Sequence, residues 1–171
     1  MIKWMLIAAA IVAVLGVTLT AAGYLLPRTH TASRTRSYAA PPPALFEAIS
    51  DVRRYAEWRT GVTQVDILPD DGKGLRFREH GRNGSVLFWF ESLDPPRRVV
   101  ARIADPKLPF GGTWTYDLQA SGTGTSLTIT EDGEVSNPIV RVMQRLFFSP
   151  LDTIDQYLAD LNSIDRGKGQ S

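Results

Sequence analysis

The sequence predicts an α+β domain, a curved antiparallel sheet wrapped around a long C-terminal helix, carried behind one apolar N-terminal helix. Three observations predict it. Residues 4–26 carry no charge, residues 62–131 alternate with a period of two between turn signals, and residues 137–161 return to helical spacing. Strands in one run, flanked by segregated helices, indicate α+β rather than alternating α/β.

The first segment, WMLIAAAIVAVLGVTLTAAGYLL, has 23 uncharged residues, enough as a helix to cross a hydrocarbon core of about 30 Å. Trp4 and Tyr24 suit the two interfaces, and Pro27 ends the helix. Lys3 before an apolar core, with Thr20-Ala21-Ala22 as a tolerable cleavage site, also fits a signal peptide. The apolar run continues through Leu26, longer than a typical signal core, so a retained single-pass anchor is expected. Lys3 on one side against Arg28, Arg34 and Arg36 on the other places the C-terminal domain in the cytoplasm. The alternative is export with the anchor cleaved. Arg34 and Arg36 also fit the outward face of a first strand.

That strand is expected over residues 31–38, and Ala40-Pro41-Pro42-Pro43 then starts a helix. Leu45, Phe46, Ile49 and Val52 repeat at helical spacing, and Ser50-Asp51 reads as a cap before a second short helix over 52–58. Strands follow over 62–68, 74–79, 85–93, 97–104, 113–118 and 125–131. The turns between them are Pro69-Asp70-Asp71-Gly72, Arg82-Asn83-Gly84, Asp94-Pro95-Pro96 and Ser121-Gly122-Thr123-Gly124, with a loop over 105–112. Asn137 caps a helix with Pro138 at its first position, carrying Ile139, Val142, Met143, Leu146 and Phe147 on one face. Ser149-Pro150 breaks it, and Leu151, Ile154, Leu158 and Leu161 continue the stripe. The expected organisation is an anchor over 1–27, a basic linker and first strand over 28–36, a ligand-binding domain over 31–164 and a frayed, disordered tail over 165–171.

Composition narrows the chemistry. The sequence has no Cys, which removes disulfides, thiolate metal sites and thiol nucleophiles. Its two His, His30 and His80, stand fifty positions apart and argue against a multi-histidine metal site. A net charge of +1 gives no reason to expect nucleic acid as partner. The average conceals a polarity: Lys3, Arg28, Arg34 and Arg36 precede every acidic residue, and the remainder carries 15 cations against 18 anions.

The stretch Ala40-Pro41-Pro42-Pro43-Ala44-Leu45-Phe46, then Asp51 and Trp58, resembles the opening of the SRPBCC superfamily, the START-like, polyketide-cyclase-like helix-grip group. Residues 124–131, GTSLTITE, resemble its late Gly-x-Thr strand, and the long helix from Asn137 its closing helix. The resemblance covers about residues 31–164. It implies a helix-grip fold with a hydrophobic cavity for a lipid, polyketide, isoprenoid or similar apolar molecule. It implies no particular activity, because the superfamily mixes carriers, cyclases and regulators on one fold. No cofactor is expected, and no protein partner is indicated.

The aromatic residues on alternating strand positions are the candidate cavity lining: Trp58, Phe77, Phe88, Phe90, Trp114 and Tyr116, with Ala101, Met143 and Phe147. The bland alternative is that they fill the core. Two carboxylates share strand faces with apolar residues, Glu79 behind Leu75 and Phe77, and Glu131 behind Leu127 and Ile129. Turned inward, each needs a partner, an arginine such as Arg102 or Arg59, or a raised pKa that suits proton transfer; if the alternation slips at the strand ends, both are solvated. His80 lies on the opposite face among Arg76, Arg78 and Arg82 and reads as solvated. The loop Lys107-Leu108-Pro109-Phe110-Gly111, and Phe147-Phe148 at the helix break, are candidate cavity gates or bilayer contacts. The function expected is membrane-anchored binding and release of an apolar small molecule through the segment 4–26 and an internal cavity. The alternatives are a cyclase or dehydratase using Glu79 or Glu131, and a filled domain that binds a protein.

Overall fold

The structure is a computed structural model that describes residues 1–69, 72, 74–82, 84–147 and 149–168. The turn expected at Asp70-Asp71, the Asn83 position of the second turn, Phe148 and residues 169–171 lie outside the described residues.

Helix α1 (Ile2–Leu25) is the apolar segment, and no part of its most apolar stretch is buried against the rest of the protein. Its length and composition would let it cross a membrane. Thr18 and Thr20 donate their hydroxyls to Val14 O and Gly16 O, so both threonine hydroxyls are satisfied within the helix.

Seven strands form one antiparallel sheet in the order β1-β7-β6-β5-β4-β3-β2. They are β1 (Thr29–Tyr38), β2 (Val62–Ile67), β3 (Arg76–Gly81), β4 (Gly84–Asp94), β5 (Arg98–Ile103), β6 (Phe110–Ser121) and β7 (Gly124–Val135). Strands β2 to β7 form a meander, and β1 reaches the far edge to pair with β7. Between β1 and β2 stand α2 (Pro42–Ser50), a 3-10 turn over Val52–Arg54 and α3 (Tyr55–Trp58). Pro42 and Pro43 sit in the first turn of α2, where a missing N–H costs nothing. Asp51 occupies the cap position before the 3-10 turn, but its side chain makes no capping bond.

Strands β6 and β7 run longer than their alternation predicts. Gly111 and Gly112, read as loop, pair with Glu134 and Gly133 in the ladder. Gly112 has φ +142°, and a Cβ there would run into the Asp132 carbonyl oxygen, so only glycine fits this close approach. Helix α4 (Pro138–Phe147) begins as expected, with Asn137 Oδ1 accepting from the amides of Ile139 and Val140 at 2.9 and 3.2 Å. The chain then breaks, and α5 (Pro150–Lys168) is a separate helix that extends into the tail expected to fray.

α5 occupies the grip of the sheet. Its Ile154, Tyr157, Leu158 and Leu161 are buried with Leu45 and Ile49 of α2 and with Phe77, Phe90, Val99, Tyr116, Leu127 and Ile129 of the sheet. Polar bonds fix its position: Tyr38 Oη donates to Leu158 O at 2.7 Å, and Asp165 accepts from the Ala40 amide at 2.7 Å. Asp160 accepts from the Thr60 amide and hydroxyl at 2.8 and 2.9 Å. Helix α4, by contrast, packs on the C-terminal end of α1. Gly23 is buried there, and a Cβ on it would overlap the Pro138 carbonyl.

Candidate functional site

The inner face of the sheet divides into a closed half and an open half. In the closed half the aromatics pack ring on ring. Phe77 touches Tyr55, Phe88 and Phe90, with centroids 5.1 to 6.1 Å apart, and Tyr157 touches Trp58, Trp114 and Tyr116 at 5.3 to 6.0 Å. Such spacings are those of favourable offset and edge-on ring pairs. Arg59 lies between the rings of Tyr55 and Tyr157, 4.8 Å from each centroid, and pairs with Glu79. The alternation of β3 thus does carry Glu79 inward, where burial pushes its carboxyl up and Arg59 only partly offsets that. Trp58 Nε1 and Tyr157 Oη are buried there with no hydrogen-bond partner among the described residues.

The open half lies toward β1, the start of α5, and α4. Here a cavity of about 730 Å³ is bounded by residues 26–34, Val135, Arg141, Gln144, Arg145 and residues 149–151. That volume falls within the range of small-molecule sites. A smaller cavity of about 370 Å³ lies on the outer face, where Thr31, Asp132, Thr113 and Arg102 form one row, and shares Thr29, His30 and Thr31 with the first. His30 borders both. Its ring lies over Gly133, where a Cβ would collide with it, and its Nε2 is 3.3 Å from Glu131 Oε1. Burial raises the Glu131 carboxyl, and the bond to His30 opposes the rise. Ala32, Glu131, Trp114, Ala101 and Phe90 form one row across the sheet, so Ala32 in the cavity wall and half-buried Trp114 share a face.

None of the nine residues expected to line a cavity borders either of these two. Phe77, Phe90, Ala101 and Tyr116 are buried in the closed half, and Trp58, Phe88 and Trp114 are half-buried at its margin. Met143 and Phe147, expected beside them, sit on α4 and are 44% and 67% exposed. The reason is that α4 is not part of the closing helix, because the break at Ser149-Pro150 leaves α5 alone under the sheet. Arg34 and Arg36, read as outward, lie opposite the core residues Ile129 and Leu127 and so belong to the inner face of edge strand β1. Arg34 pairs with Asp155 of α5 at 3.4 Å. His80 is on the outer face, as expected, 2.8 Å from Asp66. Phe110 lies at the start of β6, and Pro109 O accepts from the Ser136 amide, which ties that loop to the connection before α4.

Sequence reasoning missed His30, Ala32, Arg141 and Arg145 as cavity residues. The alternation His30, Ala32, Arg34, Arg36 was available as a signal for one strand face. Nothing local marks Arg141 and Arg145, whose place depends on α4 meeting α1.

A seven-stranded antiparallel sheet curved around a C-terminal helix is the helix-grip architecture of the START and SRPBCC proteins. The chain belongs to the family described as polyketide cyclase / dehydrase and lipid transport, which it matches over residues 29–158. It is 30% identical over 103 residues to the granaticin polyketide synthase bifunctional cyclase/dehydratase of Streptomyces violaceoruber, a match covering 56% of this chain and 32% of that protein. The chain therefore spans about a third of that relative's length. Among solved structures it resembles a START superfamily protein from Mycobacterium smegmatis, with TM-score 0.61, 18% identity and coverage of 81% of this chain and 98% of that one. It also resembles the Zhui aromatase/cyclase from Streptomyces sp. R1128, with TM-score 0.59, 17% identity and coverage of 80% and 91%. At these identities the two structures establish the fold alone.

Proposed function

We propose that this protein binds and releases an apolar small molecule at the membrane surface, anchored by α1. The observation that carries this reading is the 730 Å³ cavity between β1, α4 and the start of α5, at the end of the domain where α1 joins it. The apolar part of the ligand lies along Leu26, Ala32, Val135 and Leu151 of the cavity wall. A tether makes physical sense for such a ligand, since it holds the site where a poorly soluble molecule is concentrated. The orientation with the domain in the cytoplasm follows the arginine-rich side of α1.

The test is mass spectrometry of molecules extracted from the full chain, purified in a mild detergent, beside Ala32→Trp. An apolar molecule enriched on the wild type and lost from the variant supports the reading. No enriched molecule on folded wild type overturns it.

A second reading, a cyclase or dehydratase, is favoured by one observation: His30, which lines the cavity, meets Glu131 behind it, and burial raises the carboxyl. A carboxyl with a raised pKa beside an imidazole can move protons near neutral pH. Here Glu131 would be the proton-transfer group, because Glu79, the other candidate, lies in the closed half against Arg59. Incubation with linear poly-ketone chains, wild type against Glu131→Gln, tests it, and a dehydrated or cyclised product formed only by the wild type would establish it.

A further inference from the structure

The 730 Å³ cavity is walled at its membrane end by four arginines from three parts of the chain: Arg28 after α1, Arg34 on β1, and Arg141 and Arg145 on α4. Among the described residues only Arg34 has a carboxylate partner, Asp155 at 3.4 Å. Among the described residues Arg28, Arg141 and Arg145 form no ion pair. Arg141 is the most constrained, at 5% exposed. Its guanidinium donates to Gly23 O at 2.7 Å, Leu26 O at 3.0 Å and Ser136 O at 3.1 Å, and its Nε is buried without a partner. Carbonyl oxygens and the negative end of the α1 dipole reduce the cost of burying this cation but do not neutralise it. A buried, uncompensated guanidinium beside two further unpaired ones is a setting that favours an anion, above all a phosphate oxygen.

The other side of α4 indicates where that anion comes from. Ile139, Met143, Leu146 and Phe147 stand at i, i+4, i+7 and i+8 and are 44%, 44%, 66% and 67% exposed. Arg141, Gln144 and Arg145, on the opposite side of the helix, line the cavity. α4 also packs on the end of α1. A helix with an apolar stripe on one side and arginines on the other, held at the end of a membrane-length helix, has the pattern of a helix lying in a lipid interface.

We infer that this cavity binds the phosphate headgroup of an anionic membrane lipid, with Arg28, Arg141 and Arg145 as its recognition cations. The inference rests on the reading of the cavity as an amphiphile site and names the ligand's polar class.

The test places the full chain in nanodiscs of phosphatidylcholine with a minor share of phosphatidylglycerol. Lipid retained after transfer to detergent is then measured by mass spectrometry. Wild type is expected to retain phosphatidylglycerol about thirtyfold over its share, the effect of two cations near the membrane surface. Arg28→Gln/Arg145→Gln, at two exposed positions that should not disturb folding, is expected to remove that preference. Ala32→Trp keeps every charge and blocks the cavity. Its loss of the preference places the lipid inside, whereas an unchanged preference means that the arginines only gather lipid around α1 and overturns the inference. Displacement of the lipid by millimolar inorganic phosphate would overturn the lipid source and leave a soluble phosphate site. Retention of lipid without charge preference overturns this inference alone. Retention of no lipid on folded wild type overturns the amphiphile site as well.

Discussion

The closed interior and the open mouth use the same face of one sheet and differ in what completes them. Under α2, α3 and α5 the face carries Phe77, Phe90, Tyr116, Leu127 and Ile129, and every ring finds another ring. Near α1 and α4 the face carries His30, Ala32 and Arg34, edge strand β1 has no further strand beside it, and α4 stands off against α1. Aromatic burial stabilises the first half, while small and charged residues leave the second open, the space proposed above to take a ligand. Stability and binding should therefore respond to different substitutions.

The widest separation is expected for deletion of a phenyl ring. Phe77→Ala, at a residue 1% exposed with three ring neighbours, should cost about 3–5 kcal/mol. Phe147→Ala, at 67% exposed, should stay within about 0.5 kcal/mol. Thermal melts of the full chain in detergent measure both, and equal losses would erase the distinction between the halves.

The polar centre of the interior comes next. Glu79→Gln leaves Arg59 half-enclosed by two rings without its counter-charge and should cost about 3 kcal/mol. The double substitution Arg59→Met/Glu79→Leu should recover most of that, because an apolar pair of similar size avoids the desolvation of both charges. Failure to recover would mean that the pair does more than satisfy itself.

Gly23→Leu sharpens the comparison from the mouth side. The added side chain must push α4 off α1 and break bonds from the Arg141 guanidinium to Gly23 O and Leu26 O. Hydrogen bonds from a charged group contribute about 1.5–3 kcal/mol each. Hydrogen exchange should show α4 amides opening by about 2 kcal/mol more readily while β3 to β6 keep their protection.

The smallest effect concerns pH. Burial holds the Glu131 carboxyl above its ordinary range in the folded protein. A raised carboxyl means the folded state holds the proton more tightly than the unfolded one. Its stabilising contribution is complete below the ordinary glutamate range and is lost as pH rises through the folded value. Glu131→Gln should flatten that fall in melting temperature as pH rises above the ordinary glutamate range. A slope unchanged by the substitution would assign it elsewhere.

Much of the fold could be read from the sequence. Alternation located β2 to β5 to within a few residues, because each strand has one wet and one buried face. Asn137-Pro138 marked the start of α4 through chemistry that is local to the cap. The same period put Glu79 and Glu131 on faces shared with apolar residues, but at a strand end it left open whether they turn inward or into solvent. The partnership of β1 with β7 could not, since it joins residues about a hundred positions apart. The α4 stripe of Ile139, Met143, Leu146 and Phe147 misled, because a stripe turned away from the protein has the same helical period as one turned toward its core. The cavity itself arises where residues 26–34 meet residues 135–151, about a hundred positions away, and no local pattern records that meeting.

The most direct test is to place a photoreactive benzophenone side chain at Leu151, in the cavity wall, and at Thr128, opposite Thr35 on the outer face of the sheet. Each full-chain variant is irradiated in native membranes, and intact mass is then measured. Binding at the mouth predicts an adduct of defined lipid mass at Leu151 and none at Thr128. Equal labelling of both positions, or an unlabelled Leu151, would contradict it.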